Sequence, residues 1–275
     1  MTVIENPRAG RIKAVAKLSR RQHRQETGLF LLEGPQAVSE ALTWRPELLE
    51  ELYVTPSAAQ KHSELLDAAQ SASLDFEYVT EEVLDAMTDT VTPQGIAAVC
   101  RQHPTALKDI VAQHPRLVAV LEEVRDPGNL GTILRAADAA GADAVILTGR
   151  TVDPFNPKVV RSTTGSLFHV PFALGGALDV ALSRLRDAGL TIVAADIKGE
   201  NLLERRQSGA LERPTAWLFG NEARGLPDEA LRLADAVVSV PIYGRAESMN
   251  LATAASVCLY ESAFAHHGSD AARDS

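Results

Sequence analysis

RLVAVLEEVRDPGNLGTILRAADAAGADAVILTG, residues 116–149, decides the fold. RLVAVLEEV and AVILTG are apolar runs rich in Val, Ile and Ala and read as strands, with NLGTILRAADAAGA a helix between them. The same alternation continues through NPKVVRSTTG (helix), FHVPFA (strand), a helix over 177–188, and the strands TIVAAD and TAWLFG. A helix over 227–234, the strand VVSVPI and a long helix over 250–266 complete it. Glycine-bounded apolar strands separated by helices predict an α/β domain with a parallel sheet covered on both faces.

Working outward, the N-terminal half has a different grammar. Residues 11–26 predict a basic helix, followed by the strand GLFLLEG and a helix from Pro35, a residue tolerated at a first helical position. LEELYVT, a helix over 63–72, FEYVT, a helix over 81–88 and GIAAVC follow, giving a smaller α/β layer. Residues 102–115, with two prolines and two histidines, read as a linker. The expected division is 1–105, a linker over 106–115, 116–267, and a fraying tail over 268–275.

The 275 residues are 45% hydrophobic and 23% charged, an ordinary globular mixture. Cys100 and Cys258 form no CxxC pair and the seven histidines form no ligand cluster, so no metal is expected. MTVIENPRAGRIK lacks the apolar core of a secretory leader, and the uncharged run over 162–178 is too short and polar to span a bilayer. A cytoplasmic protein is expected. Net charge is −9, yet residues 1–30 carry seven cations against two carboxylates, leaving −14 for the other 245. Arg11, Lys13, Lys17, Arg20, Arg21 and Arg24 make this segment a candidate RNA contact, the alternative being a solvated helix face.

Ligands of such a sheet gather where strands lead into helices. Three of these turns carry more than turn chemistry: VRDPGNLGTILR, GNEARGLPDE and YGRAESMNLATAAS. Taken singly, Asn129 reads as a helix cap, Arg135 as a partner of Asp138, Glu222 as a loop residue, and Asn250 with Ser248 as another cap. GxGxxG, GxxxxGK[ST] and GxSxG are all absent, which removes weight from dehydrogenases, phosphate-loop enzymes and serine hydrolases.

NLGTILRAADAAGADAVILT, LFGNEARGL and VPIYGRAESMNLATAASVCLYE, in that order, resemble the three motifs of the SpoU branch of the SPOUT RNA ribose methyltransferases. EGPQAVSEAL, after the basic helix, is similar to the ribosomal-protein-like substrate-binding domain that precedes many of them. The resemblance implies a deep trefoil knot in the C-terminal domain, S-adenosylmethionine as donor, a homodimer, and methyl transfer to a ribose 2′-hydroxyl of structured RNA, ribosomal RNA before tRNA. By motif position it implies catalytic roles for Asn129, Arg135, Glu222, Ser248 and Asn250. It implies donor contacts at Leu218, Gly220, Val240, Ile242, Met249 and Leu251. Met249 stands where leucine is more usual, a volume-conserving change. The alternatives are a ribosomal antibiotic-resistance enzyme of the same chemistry, a base methyltransferase, and a non-catalytic RNA-binding module on the same fold.

Overall fold

The computed structural model describes residues 3–273, with side chains through residue 268. The chain divides into two units: residues up to His103 together with Asp153–His169, and Pro104–Val152 together with the chain from Val170 onward.

In the first unit the strands are β1 (Val3–Ile4), β2 (Leu29–Glu33), β3 (Leu49–Val54), β4 (Phe76–Val79) and β5 (Ile96–Arg101). They form one sheet in the order β1-β4-β3-β5-β2, with β5 antiparallel to both neighbours. The helices are α1 (Gly10–Ala16), α2 (Arg21–Thr27), α3 (Pro35–Trp44), α4 (Pro56–Lys61), α5 (Ser63–Ser71) and α6 (Glu81–Met87). Ile12, Val15 and Leu18 pack with Leu31, Tyr53 and Val83 in its core.

The basic segment is two helices rather than one. Ser19 Oγ donates to the carbonyl of Ala16 at 2.8 Å, the chain tightens into a 3₁₀ turn, and Arg20 is extended. The break leaves the carbonyls of Leu18 and Ser19 without helical partners, and Arg24 Nη1 donates to them at 2.8 and 2.9 Å. The same guanidinium pairs with Asp153 at 2.6 Å and is 1% exposed. Arg24 is therefore a structural cation inside the unit, which corrects its expected role in RNA contact. Arg11 is partly exposed but held by Glu51 and Glu77. Lys13, Lys17, Arg20 and Arg21 are exposed.

The second unit is built on β6 (Leu117–Glu122), β7 (Ala144–Thr148), β8 (Phe172–Leu174), β9 (Thr191–Asn201), β10 (Thr215–Phe219) and β11 (Ala236–Ser239). Its helices are α7 (Leu107–Val111), α8 (Pro127–Ala139), then, beyond the helix α9 (Pro157–Thr163) that belongs to the first unit, α10 (Leu178–Asp187), α11 (Leu202–Gln207), α12 (Asp228–Leu231) and α13 (Leu251–Arg273). The six strands are all parallel, in the order β11-β9-β10-β6-β7-β8. The parallel sheet expected from the apolar runs is present, and its central strands are buried on both faces.

Three local expectations change. The segment 102–115 contains α7, whose Ile110 enters the core with Val118 and Leu185. FHVPFA becomes a 3₁₀ turn (Ser166–Phe168) followed by β8, because Pro171 has no N–H to give a ladder. Helix α13 continues to Arg273. Asp274 and Ser275, the end of the expected fraying tail, lie outside the described residues.

The strand order positions the site. β6, β7 and β8 run outward in one direction, whereas β10 inserts between β6 and β9 on the other side. The switch point lies at the carboxyl ends of β6 and β10, where the first two unusual turns emerge. The buried Trp217 Nε1 donates to Ser262 Oγ at 2.9 Å, which fixes α13 against β10.

Removing one partner of a buried ion pair strands the other. Arg24→Ala is expected to lower stability by about 3–5 kcal/mol in urea unfolding, whereas Lys13→Ala should change it by less than about 0.5 kcal/mol. Equal effects would mean that Arg24 is not the staple of this segment.

Candidate active site

The turn after β6 leads through Glu123, Val124 and Arg125 to Asp126, which caps α8 by accepting the Asn129 N–H at 2.8 Å. Pro127 follows at a first helical position, where its missing N–H costs nothing. Main-chain N–H groups of Arg125 and Asp126 stay free of the helix, and the Glu222 carboxylate takes both, at 3.1 and 2.9 Å. Asn129 Nδ2 also donates to Glu222, at 3.4 Å. Asn250 Nδ2 then donates to Asn129 Oδ1 at 2.9 Å, while Asn250 Oδ1 caps α13 by accepting the N–H groups of Ala252 and Thr253. Residues from three strand-end turns thus form one hydrogen-bonded junction.

Burial raises the Glu222 carboxyl, but the N–H groups of Asp126 and Arg125 and the Asn129 amide outweigh it, and its pKa is lowered from the usual carboxylate value. Glu222 is accordingly an anion that organises backbone amides and an asparagine.

Gly220 marks the close approach in the second turn. A Cβ there would lie 2.5 Å from the carbonyl carbon and oxygen of Gly225. Residues 221–225 fold back on themselves, Asn221 and Gly225 exchanging main-chain bonds at 3.2 and 2.8 Å. The glycine is required first by the chain's own turn. Asn221 Oδ1 accepts the N–H groups of Ala223 and Arg224, and its Nδ2 donates to the carbonyl of Glu123 at 2.9 Å.

The other motif residues are placed differently. Arg135 is exposed, six residues beyond Asn129 and so about 9 Å further along α8 and on another face. It takes no part in the junction. Ser248 is exposed on the loop before α13, and Leu218 is fully buried in the sheet core. Val240, Ile242, Met249 and Leu251 are half-buried. Among the described residues, no main-chain group of 241–249 bonds to another main-chain group. A loop offering half-covered aliphatic side chains and unpaired N–H and C=O groups suits a flat, largely apolar ligand read through the backbone. No group of three or more His, Cys, Asp or Glu that could hold a metal ion occurs among the described residues.

Sequence reasoning missed Glu123, Arg125, Asn221 and Arg224. Glu123 has φ +54°, a left-handed backbone that costs a non-glycine residue roughly 1–2 kcal/mol. Its Oε2 accepts from Arg224 at 2.7 Å and from Arg125 at 3.3 Å, exposed pairs worth about 0–1 kcal/mol each. The Asn after glycine in GNEARG was the available signal for a side-chain-supported turn.

Because the folded-state pKa of Glu222 is depressed, its contribution to stability is present above the unfolded carboxylate pKa and is lost as pH falls through the folded value. Glu222→Gln should be less stable than the parent in urea at pH 7, with the gap narrowing toward pH 3. A gap independent of pH would contradict an ionised Glu222.

The SpoU rRNA Methylase family model matches residues 116–260, and the model for RNA 2′-O ribose methyltransferase substrate binding matches residues 31–106. The 23S rRNA (guanosine(2553)-2′-O)-methyltransferase RlmP of Bacillus subtilis (strain 168) is 35% identical over 94% of this chain and 98% of its own. The crystal structure of an AdoMet-bound rRNA methyltransferase from Sinorhizobium meliloti is 33% identical, with TM-score 0.80, over 95% of this chain and 97% of that one. The SpoU methyltransferase AviRb from Streptomyces viridochromogenes in complex with AdoMet is 29% identical with TM-score 0.80, over 94% and 100%. With both models matched in sequence order and the three-turn junction beneath them, this chain belongs to the SpoU rRNA methylase family.

Proposed function

We propose that the chain is an S-adenosylmethionine-dependent methyltransferase acting on a ribose 2′-hydroxyl of ribosomal RNA, with the first unit choosing the RNA. The observation that carries this reading is the junction of Asn129, Glu222 and Asn250 at the strand-order switch point, in a chain whose relatives are named for that reaction. As an enzyme of ribosomal RNA it is expected in the cytoplasm.

When bound, the donor supplies an electrophilic methyl group on a sulfonium. The half-buried Val240, Ile242, Met249 and Leu251, the unpaired backbone of 241–249 and the end of β10 at Gly220 would hold it; Leu218 contributes as the floor beneath Gly220. The aliphatic side chains exclude water from the adenine and the main-chain groups read its edge. Asn129 and Asn250, locked by each other and by Glu222, orient the reacting ribose, and Ser248, two residues before Asn250 in the chain, would supply a hydroxyl. Orientation of this kind is worth on the order of 7–11 kcal/mol of barrier.

Arg135 stays protonated, since a guanidinium keeps its proton in proteins. Its role is to grip a phosphate beside the target ribose, whose oxygen then accepts the hydroxyl proton. Its distance from the junction in one chain supports a homodimer in which Arg135 completes the partner's site. Tyr260 and Phe264, exposed on α13, offer apolar surface for that pairing, and Tyr260 donates to the carbonyl of Ala139 in α8. A trefoil knot, as the family resemblance implies, would thread the C-terminal segment back through a loop of the sheet. Lys13, Lys17, Arg20 and Arg21 supply a phosphate-tracking patch in the first unit.

Three measurements test the reading. Tritiated S-adenosylmethionine should label 23S ribosomal RNA, and a fragment with 2′-deoxyribose at the labelled nucleotide should accept nothing; continued labelling would move the reaction to a base. Arg135→Lys should lose about 10²-fold in kcat through misplacement of the clamp. Mixing Arg135→Ala with Asn250→Ala chains should restore activity that neither shows alone, and no restoration would place Arg135 in its own chain's site.

A further inference from the structure

The turns that meet at the junction carry two arginines that have been given no role so far. Arg125 precedes α8 and Arg224 follows β10, with side chains 52% and 67% exposed. Both donate through Nη2 to the same oxygen, Oε2 of Glu123. Both also border one open depression of about 480 Å³, whose other lining residues are Asp126, Pro127, Asn221, Glu222 and Ala223. A guanidinium has five N–H donors, so each keeps most of them for a ligand.

Two guanidinium groups share the Glu123 carboxylate, while the other two carboxylates of the depression, Glu222 and Asp126, are taken up by main-chain N–H groups. Glu123 is also the residue that bears the left-handed backbone at the end of β6. Glycine would adopt that conformation without strain, and exposed ion pairs do little for folding. What glycine lacks is the carboxylate that draws arginines from two separate turns to one point.

We propose that Glu123 is a positioning residue that holds Arg125 and Arg224 as a paired guanidinium clamp for a backbone phosphate of the RNA flanking the methylated nucleotide. The proposal rests on the methyltransferase reading above. Planar guanidinium groups grip phosphate oxygens bidentately, and holding two of them side by side sets the register of the strand entering the site.

The test is steady-state methyl transfer from tritiated S-adenosylmethionine to protein-free 23S ribosomal RNA by the full chain. Glu123→Gly removes the carboxylate and the strained backbone together; Glu123→Gln keeps the side-chain length and removes the charge. Both are expected to raise the KM for RNA about five- to tenfold. They should leave kcat within about twofold and donor Kd unchanged, because the chemistry and donor residues are untouched. Glu123→Gly should melt at or above the parent's temperature. Arg125→Ala/Arg224→Ala should raise KM and reduce the salt slope of RNA binding by about 1–2, and adding Glu123→Gly should change KM no further.

An RNA KM within twofold of the parent in both Glu123 variants would overturn the clamp. So would loss of melting temperature and kcat at constant KM, which is the mark of a merely structural residue. If the parent transfers no methyl group to ribose, the enzyme reading falls and the clamp with it. An active parent with an unmoved KM in the variants sinks the clamp alone.

Discussion

The Glu222 carboxylate, held between the turn that ends β10 and the turn that ends β6, is the constraint on which the site depends. Helix α8 starts too late to use the N–H groups of Arg125 and Asp126, and water or a ligand would otherwise take them. Glu222 takes them instead, as a charge-assisted pair of bonds worth roughly 1.5–3 kcal/mol each. It thereby ties together two turns that lie about 95 residues apart in sequence. Asn129, bonded to the same carboxylate, passes the constraint to Asn250 and so to the start of α13.

The rest of the site follows from that tie. With the junction fixed, the loop between β11 and α13 is anchored at Asn250, while among the described residues no main-chain group of 241–249 bonds to another main-chain group. The tight turn over 221–225, packed onto Gly220, sets where Arg224 emerges, just as the left-handed Glu123 sets the course toward Arg125. The parallel sheet supplies a rigid base for these turns, and its strand order brings the two central ones side by side.

The sheet was legible because its strands are short, apolar and punctuated by glycine, and because every strand-end turn of interest carried residues that a plain turn does not need. Less legible was anything set by distant partners. Arg24 counted as one more cation in a basic segment, since nothing near it in sequence announces Asp153, 129 residues away, as its buried counterion. Gly220 could be read as a place of close approach, but that the chain's own turn over 221–225 is what approaches is set by the fold. Helices α4 and α11, six residues each, are too short to carry a periodic pattern. Asn129, Glu222 and Asn250 were singled out separately from their turns, and their direct contact needed the fold.

That the three turns act as one unit is the central claim, and a double-mutant cycle on Glu222→Gln and Asn250→Ala, followed by single-turnover methyl transfer to 23S ribosomal RNA, tests it most directly. Residues of one hydrogen-bonded unit are non-additive. Each single change should cost nearly as much rate as the two together. Rate losses that multiply independently would contradict the junction as the organiser of the site.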